Sequence, residues 1–130
     1  MTTTDREIAN PDPNPETQVF WDAAGQGKLM IKICKSCNEA HYYPRALCPH
    51  CLSDQTEWVE AKGTGEVYTF SVMKRAKVSF TIAYVTLDEG VKMLTNIVDT
   101  DFDKVTIGQK VKVVFKPSEN GQAVPMFTPA

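Results

Sequence analysis

The stretch Cys34-Lys35-Ser36-Cys37-Asn38-Glu39-Ala40-His41-Tyr42-Tyr43-Pro44-Arg45-Ala46-Leu47-Cys48-Pro49-His50-Cys51 holds all four cysteines of a 130-residue chain. Two Cys-x2-Cys pairs separated by ten residues supply four thiolates, and Zn²⁺ is the usual occupant of such a tetrahedral set. Disulfides are the competing use of the same residues. The opening Met1-Thr2-Thr3-Thr4-Asp5-Arg6-Glu7 begins no apolar segment of a secretory signal. That points to a cytoplasmic chain whose thiols stay reduced. The reading is therefore structural zinc on Cys34, Cys37, Cys48 and Cys51, ahead of iron, disulfides or a redox dithiol. Ser36 and Pro49 lie inside the pairs, where tight turns aim backbone N–H groups at sulfur. A metal that takes every thiol leaves none for nucleophilic or redox catalysis.

Outward from the cysteines, residues 28–33 alternate around Leu29, Ile31 and Ile33 and predict a strand feeding the first knuckle. A short strand and a Pro44 turn between the pairs, then a return strand over 56–61 with Trp58, complete a zinc ribbon across residues 28–62. Upstream, Asn14-Pro15-Glu16 reads as a helix start, with an N-cap, a first-turn proline and an acid. Val19, Phe20, Ala23 and Ala24 form its apolar stripe, and Gly25 and Gly27 end it. A helix of about ten residues within 14–27 is too short to stand alone. Phe20 and Trp21 must therefore pack on the protein's own core or on a partner, and they are the candidate docking residues. Residues 1–13, with few apolar groups and two prolines, read as a disordered tail.

Downstream of Gly63 the pattern turns to β. Runs over 65–73, 80–87, 91–98, 110–116 and 123–127 are rich in Val, Thr, Tyr, Phe and Ile. Asp88-Glu89-Gly90 is a hairpin signal between the second and third. The fourth shows the clearest alternation, with Val111, Val113 and Phe115 on one face. The polar segment 99–108 leaves room for one helical turn, where an oligonucleotide-binding (OB) barrel often places a helix. Five strands closed as a small barrel over 63–130 leave no long exposed edge. The class is mainly β.

Net charge is −2, which argues against a dedicated nucleic-acid binder. The charge is uneven: −4 over residues 1–27, +3 over 28–81 and −1 over 82–130. A mildly basic middle suits a small phosphate-bearing ligand. No apolar run approaches the roughly 20 residues of a membrane span, so the chain reads as soluble. Lys74-Arg75-Ala76-Lys77 is a basic cluster on the loop after the first barrel strand, which OB barrels commonly use for ligands. Arg45 offers a second phosphate fork. The plain alternative is a solvated loop. Tyr68 and Phe70 could stack bases or fill the barrel. His50, inside the second cysteine pair, reads as solvated, and His41 as structural, with a ligand contact the alternative. Asp88 and Glu89 are simplest as turn residues, and no phosphate loop of the Walker or dinucleotide type is present.

Taken in order, Phe20-Trp21, Gly27-Lys28-Leu29, the four-cysteine ribbon with Pro44-Arg45, Gly65-Glu66-Val67-Tyr68-Thr69-Phe70, Val85-Thr86-Leu87-Asp88-Glu89-Gly90, Ile107-Gly108-Gln109-Lys110-Val111 and Val124-Pro125-Met126-Phe127 resemble the family catalogued as domain of unknown function 35. The resemblance covers residues 15–130. It implies a short N-terminal helix, a rubredoxin-like zinc ribbon holding Zn²⁺ on the four cysteines, and a C-terminal five-stranded OB-fold. It also implies a non-catalytic accessory subunit of a thiolase-type acyl-CoA complex, bridging subunits and helping bind the CoA thioester, with Arg45, Lys74, Arg75 and Lys77 the candidate CoA contacts. In such complexes the partner carries the catalytic residues, and the acyl group is fatty, steroid or aromatic. A single-stranded nucleic-acid-binding module is the alternative from a different class, and an iron-bearing electron carrier is a third.

Overall fold

The computed structural model describes residues 7–130, so the first six residues of the expected tail lie outside the described residues. In chain order the elements are helix α1 (Gln18–Ala24) and strands β1 (Met30–Cys34), β2 (Ala40–His41), β3 (Thr56–Glu60), β4 (Thr64–Met73), β5 (Phe80–Leu87), β6 (Lys92–Ile97), β7 (Lys110–Pro117) and β8 (Ala123–Pro129). A 3₁₀ turn at Phe102–Lys104 fills the segment where one helical turn was expected. Among the described residues no helix is long and apolar enough to cross a membrane.

The helix is shorter than its sequence signal because the first turn closes differently. Asn14 Oδ1 accepts from the Thr17 N–H at 3.1 Å, and Thr17 Oγ1 accepts from the Asn14 N–H at 3.0 Å. This reciprocal pair closes the turn ahead of the helix, whose own N-cap, Thr17, makes no side-chain capping bond, and α-helical geometry begins only at Gln18. At the far end Gly27 takes a positive φ of 78°, and the Lys28 N–H reaches back to the Ala23 carbonyl. Ile8 and Asn10 are tied to the turn between β7 and β8: the Glu119 N–H donates to the Ile8 carbonyl, and the Asn120 N–H to Asn10 Oδ1.

The ribbon is a three-stranded antiparallel sheet in the order β2-β1-β3. The five later strands close as a barrel in the order β4-β5-β6-β8-β7. All pairs are antiparallel except β6 with β8, which meet in parallel at Ile97 and Phe127. This is the OB arrangement, in which β4 pairs with both β5 and β7 to close the wall. Closure needs Gly65. A Cβ there would stand 2.3 Å from the Thr86 carbonyl oxygen on β5. A register shift between Val67 and Thr69 lets β4 bend at Tyr68.

One apolar core runs through both sheets. Leu29 and Ile31 of the ribbon join Val67, Ala83, Val85, Leu87, Met93, Ile97, Val111 and Phe127 of the barrel, with Phe20 of α1 in the same cluster. Phe20 is 1% exposed and meets Trp21 and Tyr42 edge-on at ring centroid distances of 4.9 and 5.7 Å. This corrects the docking expectation for Phe20. The helix finds its surface on β8 and β1 of its own chain, so Phe20 is used inside the molecule. Trp21 stays half-buried at the edge of that core, and its carbonyl accepts from Gln122 Nε2 at 3.1 Å.

Candidate metal centre and ligand surfaces

The two cysteine knuckles repeat one backbone pattern. In the first, the Asn38 N–H donates to the Cys34 carbonyl and the Cys34 N–H to the Glu39 carbonyl; in the second, Leu52 N–H donates to Cys48 and Cys48 N–H to Ser53. Both turns need a left-handed residue just past the second cysteine, Asn38 at φ 62° and Leu52 at φ 66°. Asn tolerates that region, whereas for Leu it is a strained choice that the closed turn must hold in place. A 2.8 Å contact between the Ser36 and Ser53 hydroxyls clasps the knuckles together.

The sulfurs converge. Cys34 and Cys51 lie 3.6 Å apart and Cys37 and Cys48 3.7 Å apart, with all four ligand atoms within 4.8 Å of one another. A tetrahedron with metal–sulfur bonds near 2.3 Å has edges of about 3.8 Å, so the set fits one such ion. The separations are far too long for a disulfide of about 2.05 Å. N–H groups point at sulfur as expected, including His50 N–H to Cys48 Sγ at 3.4 Å. The Cys37 N–H, helped by that of Ser36, draws the Cys34 thiol down to about 6 against desolvation. Cys37 is drawn down by the Glu39 N–H, but desolvation and its three sulfur neighbours push it up to about 12. Cys51 also rises, as desolvation and Cys34 outweigh the Ser53 N–H. Four thiolates this close repel one another, and a divalent cation at their centre relieves that repulsion.

The candidate cations are held in different surroundings. Arg45 sits on the ribbon, 3.6 Å from the Glu16 carboxylate and stacked over the Tyr43 ring at 4.9 Å. Glu16 also accepts from the Ala46 N–H, joining residues 30 apart in a way no local pattern signals. Lys74, Arg75 and Lys77 are exposed on the β4–β5 loop. Lys74 borders an open groove of about 430 Å³ that it shares with Val72, Asp101, Phe102 and Asp103. The two carboxylates there oppose a phosphate. Elsewhere on the barrel, lysines pair with acids, Lys110 with Glu66 at 2.8 Å and Lys116 with Asp99 at 2.7 Å. Tyr68 is exposed with Lys92 over its ring, whereas Phe70 is half-buried against the core.

Two buried polar side chains lie beside the centre, and only the first had no sequence signal. Lys32, whose neighbours in β1 are the apolar Ile31 and Ile33, is nearly buried; its ammonium donates to the Arg45 carbonyl at 3.1 Å and to Thr56 Oγ1 at 3.4 Å, and lies over Trp58. His41 is 5% exposed, its Nδ1 2.9 Å from the Tyr43 carbonyl. A carbonyl only accepts, so Nδ1 carries the hydrogen and Nε2 presents a lone pair. Desolvation, with Lys32, His50 and Arg45 nearby, holds the imidazole below its usual pKa. His50 is exposed, with Nε2 3.4 Å from the Ala40 carbonyl.

Comparison with known proteins accords with this architecture. Residues 21–57 match the rubredoxin-like zinc ribbon domain of ChsH2, and residues 58–116 match its C-terminal OB-fold domain. The chain is 33% identical over 125 residues to a probable enoyl-CoA hydratase alpha subunit of Thermomonospora curvata, a match covering 92% of this chain but 39% of that protein. It is 37% identical over 91 residues to a DUF35 domain-containing scaffold protein of Methanocaldococcus jannaschii, covering 64% of each. Among solved structures, a chain of the Ltp2–ChsH2(DUF35) aldolase superposes with a TM-score of 0.79 at 32% identity, covering 92% of this chain and 98% of that one. The chain therefore spans about two fifths of the hydratase subunit but nearly the whole of the aldolase chain. With both halves of the fold matched in order, the chain belongs to the DUF35 family of ChsH2-type zinc-ribbon and OB-fold proteins.

Proposed function

We propose that this chain is a non-catalytic, zinc-binding accessory subunit of an acyl-CoA-processing complex. The observation that carries the reading is the near-complete match to a chain of the Ltp2–ChsH2(DUF35) aldolase, supported by the hydratase alpha subunit. Zinc is the metal of choice, because a compact tetrahedral four-thiolate set in a rubredoxin-like ribbon suits a d¹⁰ ion. Cys34, Cys37, Cys48 and Cys51 hold it, and its chemistry there is cross-linking: it fixes the two knuckles against β1 and β3.

In this reading the catalytic residues lie in the partner, a thiolase-fold enzyme in the form the sequence resemblance implies. The accessory chain bridges subunits and helps bind the CoA thioester, whose acyl group is fatty, steroid or aromatic. Trp21 and the exposed Val19 on α1 are the docking residues, and Lys74, Arg75 and Lys77 with Arg45 face the CoA phosphates. The domain division follows the same scheme: a helix over 14–27, the ribbon over 28–62, and the barrel over 63–130, acting in the cytoplasm. The test is to co-express the chain with a candidate thiolase-fold catalytic subunit and to follow co-elution and CoA-thioester turnover. A stable complex whose turnover needs this chain is expected. Separate elution, with the catalytic subunit fully active alone, refutes the proposal.

A further inference from the structure

Between ribbon and barrel lies an open cleft of about 590 Å³ that the accessory role does not use. One wall comes from the ribbon, with His41, Tyr43 and His50; the other comes from the outer face of β5 and β6, with Tyr84, Leu94 and Lys92. Three of these side chains are large and exposed although apolar in bulk: Tyr43 at 41%, Tyr84 at 45% and Leu94 at 48%. Tyr84 and Leu94 are cross-strand partners, so they form one continuous surface. Its volume falls in the range of small-molecule sites.

The informative atom is His41 Nε2. It is buried and has no hydrogen-bond partner, in a residue that lines the cleft. An unmade hydrogen bond at a buried acceptor costs about 1–3 kcal/mol, which a donor reaching Nε2 from the cleft would recover. The tautomer set by the Tyr43 carbonyl makes Nε2 an acceptor, which turns away carboxylate and phosphate at that point. Glu39, His41 and His50 all line the cleft, but among the described residues the one group of three or more His, Cys, Asp or Glu side chains whose ligand atoms converge is the cysteine set, so the cleft is not read as a metal site. The complementary group is an N–H or O–H, and the tyrosine and leucine walls suit a flat apolar ring around it.

We propose that this cleft binds a planar aromatic ring bearing an amino or hydroxyl donor, with the donor on His41 Nε2 and the ring between Tyr43 and Tyr84. Lys92, whose ammonium lies over the Tyr68 ring, borders the cleft at the β6 end. A nucleobase amine and a phenol share this chemistry. The assignment stands apart from the accessory-subunit reading and does not depend on it.

The experiment titrates the zinc-loaded full chain with adenosine and, separately, with 4-methylphenol, while long-range ¹H–¹⁵N spectra follow the His41 ring nitrogens. Purine riboside, which lacks the amino group, and 4-methylanisole, whose oxygen carries no hydrogen, are the matched controls. At least one donor ring is expected to saturate and shift the His41 Nε2 signal, its control binding about tenfold more weakly. Adenosine alone doing so identifies a nucleotide-type ligand, and the phenol alone a tyrosine-like one; both support the site. Because His41 is buried and its replacement risks the fold, Tyr84→Ser on the exposed barrel face supplies the variant, and it should weaken binding severalfold. Unmoved Nε2 with both donor rings, controls that bind as well, or an indifferent Tyr84→Ser variant would overturn the proposal.

Discussion

Gly65→Ala is the single substitution for which the geometry predicts the sharpest loss. The added Cβ would lie 2.3 Å from the Thr86 carbonyl oxygen, 3.0 Å from the Thr86 carbonyl carbon and 3.0 Å from Val85 Cγ1. Two of these are backbone atoms of β5, so no side chain can swing aside. Restoring ordinary contact needs β4 and β5 to part by about 1 Å, in a ladder whose normal spacing is about 4.8 Å. Gly65 pairs with Leu87 on one side and Val111 on the other, so the movement cannot be absorbed at a free edge. The bond from the Asp88 N–H to the Thr64 carbonyl, now 3.0 Å, would stretch beyond useful range. Overpacking costs about 1–3 kcal/mol and one lost ladder bond about 1 kcal/mol, giving a total of roughly 2–4 kcal/mol. For a domain of this size that lowers Tm by roughly 8–15 °C. Thermal unfolding by circular dichroism measures it, with Gly121→Ala as the comparison: that position has φ 90° but open space, and should lose only about 1–2 kcal/mol. A Gly65→Ala variant melting within 2 °C of the parent would refute the reasoning about barrel closure.

Cys34→Ala should abolish stoichiometric metal binding and unfold the ribbon, since structural zinc contributes folding free energy directly; elemental analysis and a melting curve check both. His41 makes stability pH-dependent. Its folded pKa lies below the ordinary 6.5, so on acidification the unfolded chain takes up the proton first; its contribution is complete above about pH 6.5 and is lost as pH falls below that value. Tm measured from pH 7.5 to 5.5 should therefore fall more steeply in the parent than in His41→Leu. Lys74→Glu with Arg75→Glu should weaken CoA-thioester affinity of the assembled complex severalfold without dissociating it, as read by isothermal titration; unchanged affinity returns those residues to the solvent.

The parts of the fold that were legible in the sequence are those governed by local chemistry. Cysteine spacing announces the tetrahedral set because the knuckles are closed turns of fixed length. Alternation at Val111, Val113 and Phe115 announces β7 because the two faces of the strand meet different media. Asn14 correctly signals where the chain turns into α1, but the Asn14–Thr17 exchange uses the first turn and delays the helix to Gln18. What stayed hidden depends on which surfaces meet. An amphipathic helix requires a cover without saying whose, and Phe20 proved to be covered from within. The lone pair on His41 follows from the Tyr43 carbonyl two residues away, but its placement in a cleft depends on β5 and β6, more than 40 residues on.

The core that Leu29 and Ile31 share with the barrel links two things that are otherwise separate, metal supply and the survival of the whole chain. A ligand that binds only the folded state stabilises it by mass action, about 2.7 kcal/mol at one hundred times its dissociation constant. With no apolar boundary between ribbon and barrel, that gain reaches strands that never touch the ion. Metal starvation would thus lower the folded fraction of the barrel as well as of the ribbon, so the amount of this protein available to any partner would follow the free metal concentration around it.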